Sequence, residues 1–207
     1  MYQPQHFVQA DPAAQQRLMR EHALATLVHR GASGLDADHI PLEFMSDAGI
    51  HGSLRGHVAR ANPLWRDADG HDVLAIFQGA QAYVSPSWYP SKVDTHKVVP
   101  TWNYVVVHAH GRLRAIDDAA WLHAFVSRLT KHHEAASAVP WAVTDAPADY
   151  IAKMLRAIVG IEIELTSLIG KWKVSQNRSA ADREGTAAGL DQRDASARDM
   201  ARLVRRG

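Results

Sequence analysis

The chain of 207 residues contains no cysteine, and its 23 Lys and Arg are almost balanced by 22 Asp and Glu. The absence of cysteine excludes disulfides, thiolate metal sites and a cysteine nucleophile. A net charge of +1 provides no global attraction toward nucleic acid or an anionic membrane. No signal-peptide pattern opens the chain and no apolar run reaches the length of a membrane span, so we expect a cytoplasmic protein without a membrane partner.

Several common motifs are also missing. The sequence has no GxSxG, P-loop or GxGxxG pattern, which disfavours the common hydrolases, NTPases and Rossmann dinucleotide enzymes. Of the 13 histidines, the best metal candidates are His132-His133-Glu134 and the pair His108 and His110. Neither supplies a full ligand set and no HExxH pattern is present, so the sequence predicts no metal site.

The hydrophobic pattern predicts a mainly β protein of the α+β class. Asp11-Pro12 predicts the start of a helix, Asp117 or Asp118 and Pro147 the starts of two more. Strands are predicted at 24–28, 39–44, 51–60, 73–77, 81–85, 101–110 and 161–166. We also expect a turn from Gly31 to Gly34, a hairpin return at Gly111, and closure of the strands into a barrel. We expect one domain over residues 1–190 and a loosely anchored helical tail over residues 191–207.

The stretch from Phe77 to Tyr104 is unusual because it interleaves aromatic rings with uncharged hydrogen-bonding groups. The candidates for ring binding are Gln81, Tyr83, Ser85, Trp102 and Asn103. Ring faces can stack on a flat heteroaromatic ligand while amides and hydroxyls bind its edge. An aromatic mini-core at a loop, with its polar atoms satisfied locally, is an equally good interpretation of the pattern.

Two further segments carry groups suited to a phosphate. His57, Arg60 and Asn62 form the first; Lys171, Lys173, Gln176 and Asn177 form the second, which Trp172 interrupts. Arginine and lysine make charge-assisted hydrogen bonds to phosphate oxygens. The alternatives are a solvated strand end with an Asn-Pro turn for the first segment, and an amphipathic surface with snorkelling lysines for the second.

Five segments together resemble the PaiB-like family of FMN-binding negative transcriptional regulators, which is related to the pyridoxamine-phosphate-oxidase-like flavin proteins. These segments are Met1 to Phe7, Gly56 to Pro63, Phe77 to Pro90, Val99 to Tyr104, and Lys171 to Arg178. The resemblance extends from Met1 to about Leu190. It implies an FMN-binding split β-barrel with flanking helices, a homodimer, and flavin sites where two subunits meet.

The resemblance also implies roles for the candidate residues. His57, Arg60 and Asn62 match the phosphate side of the flavin site, Gln81, Tyr83 and Ser85 match the strand at the flavin edge, and the remaining candidates complete the site. The expected function is that of a bacterial-type FMN-binding regulator. An FMN-dependent oxidoreductase is the alternative, and a haem-binding split barrel is a weaker one.

DNA stays open as a partner, although the sequence shows no recognisable DNA-binding motif. There is no helix-turn-helix with a basic recognition helix. The arginines of the tail, which include Arg193, Arg198 and Arg202, are diluted by Asp191, Asp194 and Asp199. No residue stands out as a catalytic acid or base.

Overall fold

A computed structural model describes residues 1–46 and 49–206, and the chain divides into two compact units. The first unit consists of Met1–His22, Phe77–His108 and Ile169–Gly207. The second consists of Ala23–Ile76 and Ala109–Leu168. Three long strands contribute residues to both units, so neither unit is a continuous stretch of sequence.

Strands account for most of the regular structure. In the described ranges there are eight: β1 (Val8–Gln9), β2 (Leu24–Gly31), β3 (Gly34–Pro41), β4 (Glu43–Met45), β5 (Ser53–Ala59), β6 (Asp72–Val84), β7 (Thr101–Ile116) and β8 (Ile158–Lys173). The helices are α1 (Pro12–Glu21), α2 (Leu64–Asp67), α3 (Lys92–Thr95), α4 (Ala119–Glu134), α5 (Ala148–Arg156), α6 (Ala180–Asp191) and α7 (Ala195–Arg206). The predicted α+β class with a dominant sheet is confirmed.

The strands hydrogen-bond in the order β3-β2-β6-β7-β8-β5-β4, and β1 pairs with β8. The β2–β3 hairpin places Gly31 opposite Gly34, which confirms the predicted turn between them. Antiparallel pairing sets Val8 opposite Lys171 in the first unit and His57 opposite Gly160 in the second. Register matters because it fixes which face of the sheet receives each side chain.

In the second unit, α4 begins where the sequence predicts. The carboxylate of Asp118 accepts a hydrogen bond from the backbone N–H of Trp121 and so caps the helix. Trp121 stacks on Phe125 with ring centroids 5.3 Å apart. Leu122 and Phe125 are buried, together with Leu54, Ile161 and Ile163 of the sheet. This apolar packing forms the core of the unit.

Gly111 was predicted as a hairpin turn, and this prediction is wrong because β7 continues unbroken from Thr101 to Ile116. The glycine is needed for a different reason. A Cβ atom at position 111 would meet the backbone oxygen of Glu164 and lie 2.6 Å from Ile163 Cγ2. Glycine therefore allows the β8 backbone to approach β7 closely, a role that strand glycines often have.

The helix predicted in the tail is present, but the structure corrects the expectation that it is loosely anchored. The tail holds helix α7, which begins only at Ala195; α6 precedes it and ends at Asp191. Ala197, Met200, Ala201 and Val204 of α7 are buried at the spacing of one helical face. The tail therefore carries part of the core of the first unit.

Candidate functional site

The aromatic candidates of the first unit lie on adjacent strands. Tyr83 of β6 and Trp102 of β7 meet edge to face with ring centroids 6.2 Å apart. Both rings keep large exposed areas: 38% of Tyr83 and 53% of Trp102 are accessible. Such apolar area on paired aromatic rings can bind another flat ring or a partner surface.

Two lysines at the end of β8 provide positive charge in the same unit. The Lys171 ammonium donates to the Tyr2 carbonyl oxygen at 3.0 Å and lies over the Tyr104 ring, 5.3 Å from its centroid. The Lys173 ammonium donates to the Thr101 hydroxyl. In the described part of the chain, neither lysine has a carboxylate partner. Half-buried ammonium groups without a counter-ion are suited to an external anion.

The turn after β8 is built by its own polar side chains. Gln176 accepts from the backbone N–H of Val174 at 2.8 Å and donates to the Trp172 carbonyl at 2.6 Å. Ser175 has the left-handed φ of 65°, which is uncommon for a residue other than glycine. The amide of Gln176 thus shapes the turn that follows the lysines, whereas Asn177 is exposed beyond it.

Asn103 links this turn to β7. Its side-chain amide donates to the Ser175 hydroxyl at 2.9 Å. The carbonyl oxygen of the same side chain is buried and accepts no hydrogen bond from the described residues. A buried acceptor without a donor is costly, and the imide N–H of a flavin ring is a donor of the kind it lacks.

The segment after β6 is held by helix α6. Ser85 accepts from the backbone N–H of Ser87 and caps the short 3₁₀ helix Pro86–Trp88. Trp88 lies in a notch made by two glycines of α6: a Cβ at Gly189 would come within 2.6 Å of Trp88 Cγ, and one at Gly185 would meet the Trp88 carbonyl oxygen. The side chain of Gln81 is exposed, and the backbone carbonyl oxygen of Gln81 accepts from the Ser196 hydroxyl of α7.

The guanidinium of Arg60, in the second unit, already hydrogen-bonds to other groups of the chain. Its guanidinium makes two hydrogen bonds to the Asp117 carboxylate, at 2.8 and 2.6 Å, and donates to the carbonyls of Arg156 and Ile158 at 2.6 and 3.0 Å. The hydrogen bond from Arg60 holds the pKa of Asp117 below its usual range. A phosphate at Arg60 would have to displace this carboxylate.

The other two candidates of the second unit have structural partners as well. Asn62 donates to Asp38 at 2.7 Å and accepts from the backbone N–H of Leu64 at 2.8 Å, which builds the Asn-Pro turn. His57 packs edge to face on Phe125, and burial lowers its pKa. A neutral imidazole is therefore favoured at position 57, which reduces its value for binding an anion.

The first unit thus combines the features that a flavin nucleotide needs. It has ammonium groups without counter-ions, exposed aromatic rings and a buried acceptor on neighbouring strands. Sequence reasoning missed the Ser175 hydroxyl, which orients Asn103, and Asp117, which pairs with Arg60. Neither position shows a motif that could have revealed its partner.

Comparison with known proteins defines the class first: the fold is that of the split-barrel flavin proteins. The FAD- and haem-binding protein from Mycobacterium smegmatis superposes with a TM-score of 0.59 over 87% of this chain and 79% of its own, at 15% identity. The family follows from sequence. The model described as "Putative FMN-binding domain" matches residues 1–167, and the chain belongs to this family. FMN is accordingly its cofactor, as the sequence predicts.

Two curated relatives extend the match along the chain. The protein named "Protease synthase and sporulation protein PAI 2" from Bacillus subtilis is 30% identical over 209 residues, covering 99% of this chain and 96% of its own. An uncharacterised protein from Aspergillus fumigatus is 34% identical over 191 residues, covering 76% and 73%. The resemblance to the PaiB-like family is confirmed. Among the described residues, no helix is long and apolar enough to cross a membrane.

We expect FMN binding to weaken in alkaline solution because of Lys173. Burial lowers the pKa of Lys173; Tyr104 opposes this effect, and the positive charges of Lys171 and Arg178 add to it. Lys173 therefore loses its proton below the ordinary lysine value of about 10.4, and the neutral amine no longer attracts a phosphate. Fluorescence titrations from neutral to mildly alkaline pH, where the flavin imide keeps its proton, should show FMN affinity falling while riboflavin affinity stays level. Parallel loss for both ligands would contradict a phosphate role for Lys173.

Proposed function

We propose that the protein is a PaiB-type negative transcriptional regulator that binds FMN as a homodimer in the cytoplasm, with the flavin at the subunit interface. Bound FMN supplies reversible redox chemistry. The role of the chain is to hold the cofactor so that its occupancy or redox state biases the dimer. The whole-length similarity to the Bacillus protein, whose name refers to protease synthesis and sporulation, supports a regulatory role.

The proposal that this chain binds FMN rests mainly on Lys171 and Lys173. Each ammonium is partly or fully buried, donates to a neutral oxygen and has no carboxylate partner in the described ranges. The present acceptors are the neutral Tyr2 carbonyl and the Thr101 hydroxyl. A phosphate dianion bound here would accept stronger, charge-assisted hydrogen bonds from the two ammonium groups. We therefore give these lysines the phosphate role; Arg60, His57 and Asn62 have partners of their own in the second unit and receive no phosphate role in this proposal.

The ring of the flavin needs a different environment, which Tyr83 and Trp102 offer; Asn103, next to Trp102 on β7, points to the opposite face of the sheet. The two rings expose area that the subunit itself does not cover. A second subunit that covers them would exclude water from one side of a bound ring. Gln81, Ser85 and Asn177 lie on the flanking segments and complete the polar groups of this proposed site.

Direct DNA binding by the tail is disfavoured because several of its arginines have partners within the chain. Arg205 pairs with Asp191 at 2.6 Å and with Glu184 at 3.3 Å, and Arg202 pairs with Asp199. Arg198 donates to the Arg193 carbonyl at 3.0 Å. Phosphate backbones are bound by clusters of uncompensated cations, which these residues do not form. We infer that regulation acts through a partner protein or through a surface other than the tail.

Transcript profiling tests the regulatory role. Deletion of the gene should raise a defined set of transcripts, and replacing both Lys171 and Lys173 by alanine should raise the same set because the regulator then lacks its cofactor. Arg198→Ala is the matched control for the tail and should leave these transcripts at the wild-type level. Unchanged transcripts in the deletion strain would refute the proposal.

A second measurement separates the regulator from the oxidoreductase alternative. NADH or NADPH is added anaerobically to the FMN-loaded protein, and flavin absorbance is followed. Rapid bleaching with unchanged transcripts would favour the enzyme. Slow bleaching with raised transcripts in the deletion strain would favour the regulator.

A further inference from the structure

The first unit contains a cleft of about 680 Å³ that the flavin proposal does not use. One wall is helix α1 with Ala14, Arg17 and Leu18, and the opposite wall is α7 with Leu203 and Arg206. The volume falls in the range of small-molecule sites, roughly 300–1,000 Å³. A cleft of this size is large enough to bind a small molecule, and its lining residues indicate the chemistry of that molecule.

The floor of the cleft is apolar and formed by strands β6, β7 and β8. Gly79 and Ala80 lie in the middle of β6, and Val105 and Trp172 come from the neighbouring strands. Ala80 leaves the space open because a large side chain there would fill it, whereas Gly79 lets Val105 and Leu18 approach the strand closely. Trp172 adds an aromatic ring to this floor, so the deep part of the cleft suits an apolar, preferably flat body.

The rim of the cleft is charged, with an excess of positive groups. Its arginines are Arg17, Arg202 and Arg206, and its carboxylates are Glu21 and Asp199. Asp199 pairs with Arg202. Arg17 and Arg206 have no carboxylate partner in the part of the chain that the structure describes. Two guanidinium groups on opposite walls can thus bind an anionic group at the mouth of the cleft.

The cleft is separate from the lysines proposed for the FMN phosphate. Successive side chains of a strand point to opposite faces of the sheet. Trp172 lines the cleft, whereas Lys171 and Lys173 on either side of it are not among its lining residues and donate to the Tyr2 carbonyl and the Thr101 hydroxyl. A ligand in the cleft would leave both ammonium groups free.

We infer that this cleft is a second ligand site, which binds an amphipathic anion: a carboxylate or sulfonate carried on an apolar, flat body. The apolar floor takes the body of the ligand, and Arg17 and Arg206 take its charge. The inference depends on the cleft alone. It holds whether or not the protein is a regulator.

The test uses two fluorescent probes that share an N-phenylnaphthylamine body. The first, 8-anilino-1-naphthalenesulfonate, carries an anionic group, and the second, N-phenyl-1-naphthylamine, is neutral. We expect the double variant Arg17→Ala, Arg206→Ala to weaken the sulfonate probe by roughly fivefold, the effect of removing exposed charge pairs, and to leave the neutral probe unchanged. Ala80→Trp should abolish saturable binding of both probes because it fills the floor.

Controls make each outcome decisive. Arg198→Ala removes an arginine of α7 outside the cleft and should change neither probe. The melting temperature of each variant shows whether it folds. If Ala80→Trp is unstable, the arginine variants still provide the test, because Arg17 and Arg206 are exposed. Probe binding that is insensitive to the arginine variants, or displacement of the sulfonate probe by FMN, would overturn the inference.

Discussion

Replacing Lys171 and Lys173 together by alanine should weaken FMN binding by about a hundredfold, since each ammonium–phosphate hydrogen bond contributes ~1.5 kcal/mol. The structure gives the reason for this large effect. Both groups lack a carboxylate partner in the described ranges, so they are available to an incoming phosphate. The measurement is a fluorescence titration of the purified variant with FMN, repeated with riboflavin.

Riboflavin is the essential control because it has the same ring and no phosphate. Its affinity should change by less than about threefold in the double variant, since exposed ring contacts are unaffected by distant charges. Arg60→Ala is the matched variant in the second unit. Because Arg60 is already bound to Asp117, its loss should weaken FMN binding less than the loss of the lysines. A larger effect from Arg60→Ala would return the phosphate role to Arg60.

The substitution Gly111→Val should lower the free energy of unfolding by about 3 kcal/mol, since overpacking at a close contact is among the costliest core changes. A side chain at position 111 has no space, because the backbone of Glu164 and the Ile163 side chain occupy it. In a chain of this size, the melting temperature should fall by roughly 6–12 °C. Thermal unfolding followed by circular dichroism measures the change.

Arg112→Val is the matched control for this prediction. It introduces the same β-branched side chain at the next position of β7, where the side chain is exposed. We expect a change within about 0.5 kcal/mol for this variant. Equal stability of the two variants would show that β8 can move away from β7 at Gly111, contrary to the close packing described above.

Local signals predicted the elements of the fold better than their extent. The Asp-Pro step at residue 11, the cap at Asp118 and the turn between Gly31 and Gly34 all act within a few residues, and the structure confirms them. Gly111 was misread because its role depends on a strand more than 50 residues further along the chain. Similarly, two strands were predicted at 73–77 and 81–85, yet β6 is one continuous strand from Asp72 to Val84.

The polar candidates show a similar limit. The residue types that favour phosphate binding were visible in the sequence, but their partners were not. Arg60 and Lys173 look equivalent in the sequence, although one pairs with Asp117 and the other contacts only a hydroxyl. Whether a cation is available depends on long-range pairing, which a single sequence does not reveal. The roles of the candidate residues therefore stay predictions until the titrations above are made.

Trp88 in its glycine notch on α6 affects how future variants must be interpreted. The position of the Ser85–Pro90 segment depends on its contacts with α6, a helix that comes almost 100 residues later in the chain. A variant that loosens α6 or α7 would displace this segment and could imitate a defect in cofactor binding. Loss of flavin from a protein with an altered tail would therefore not identify the tail as a cofactor ligand.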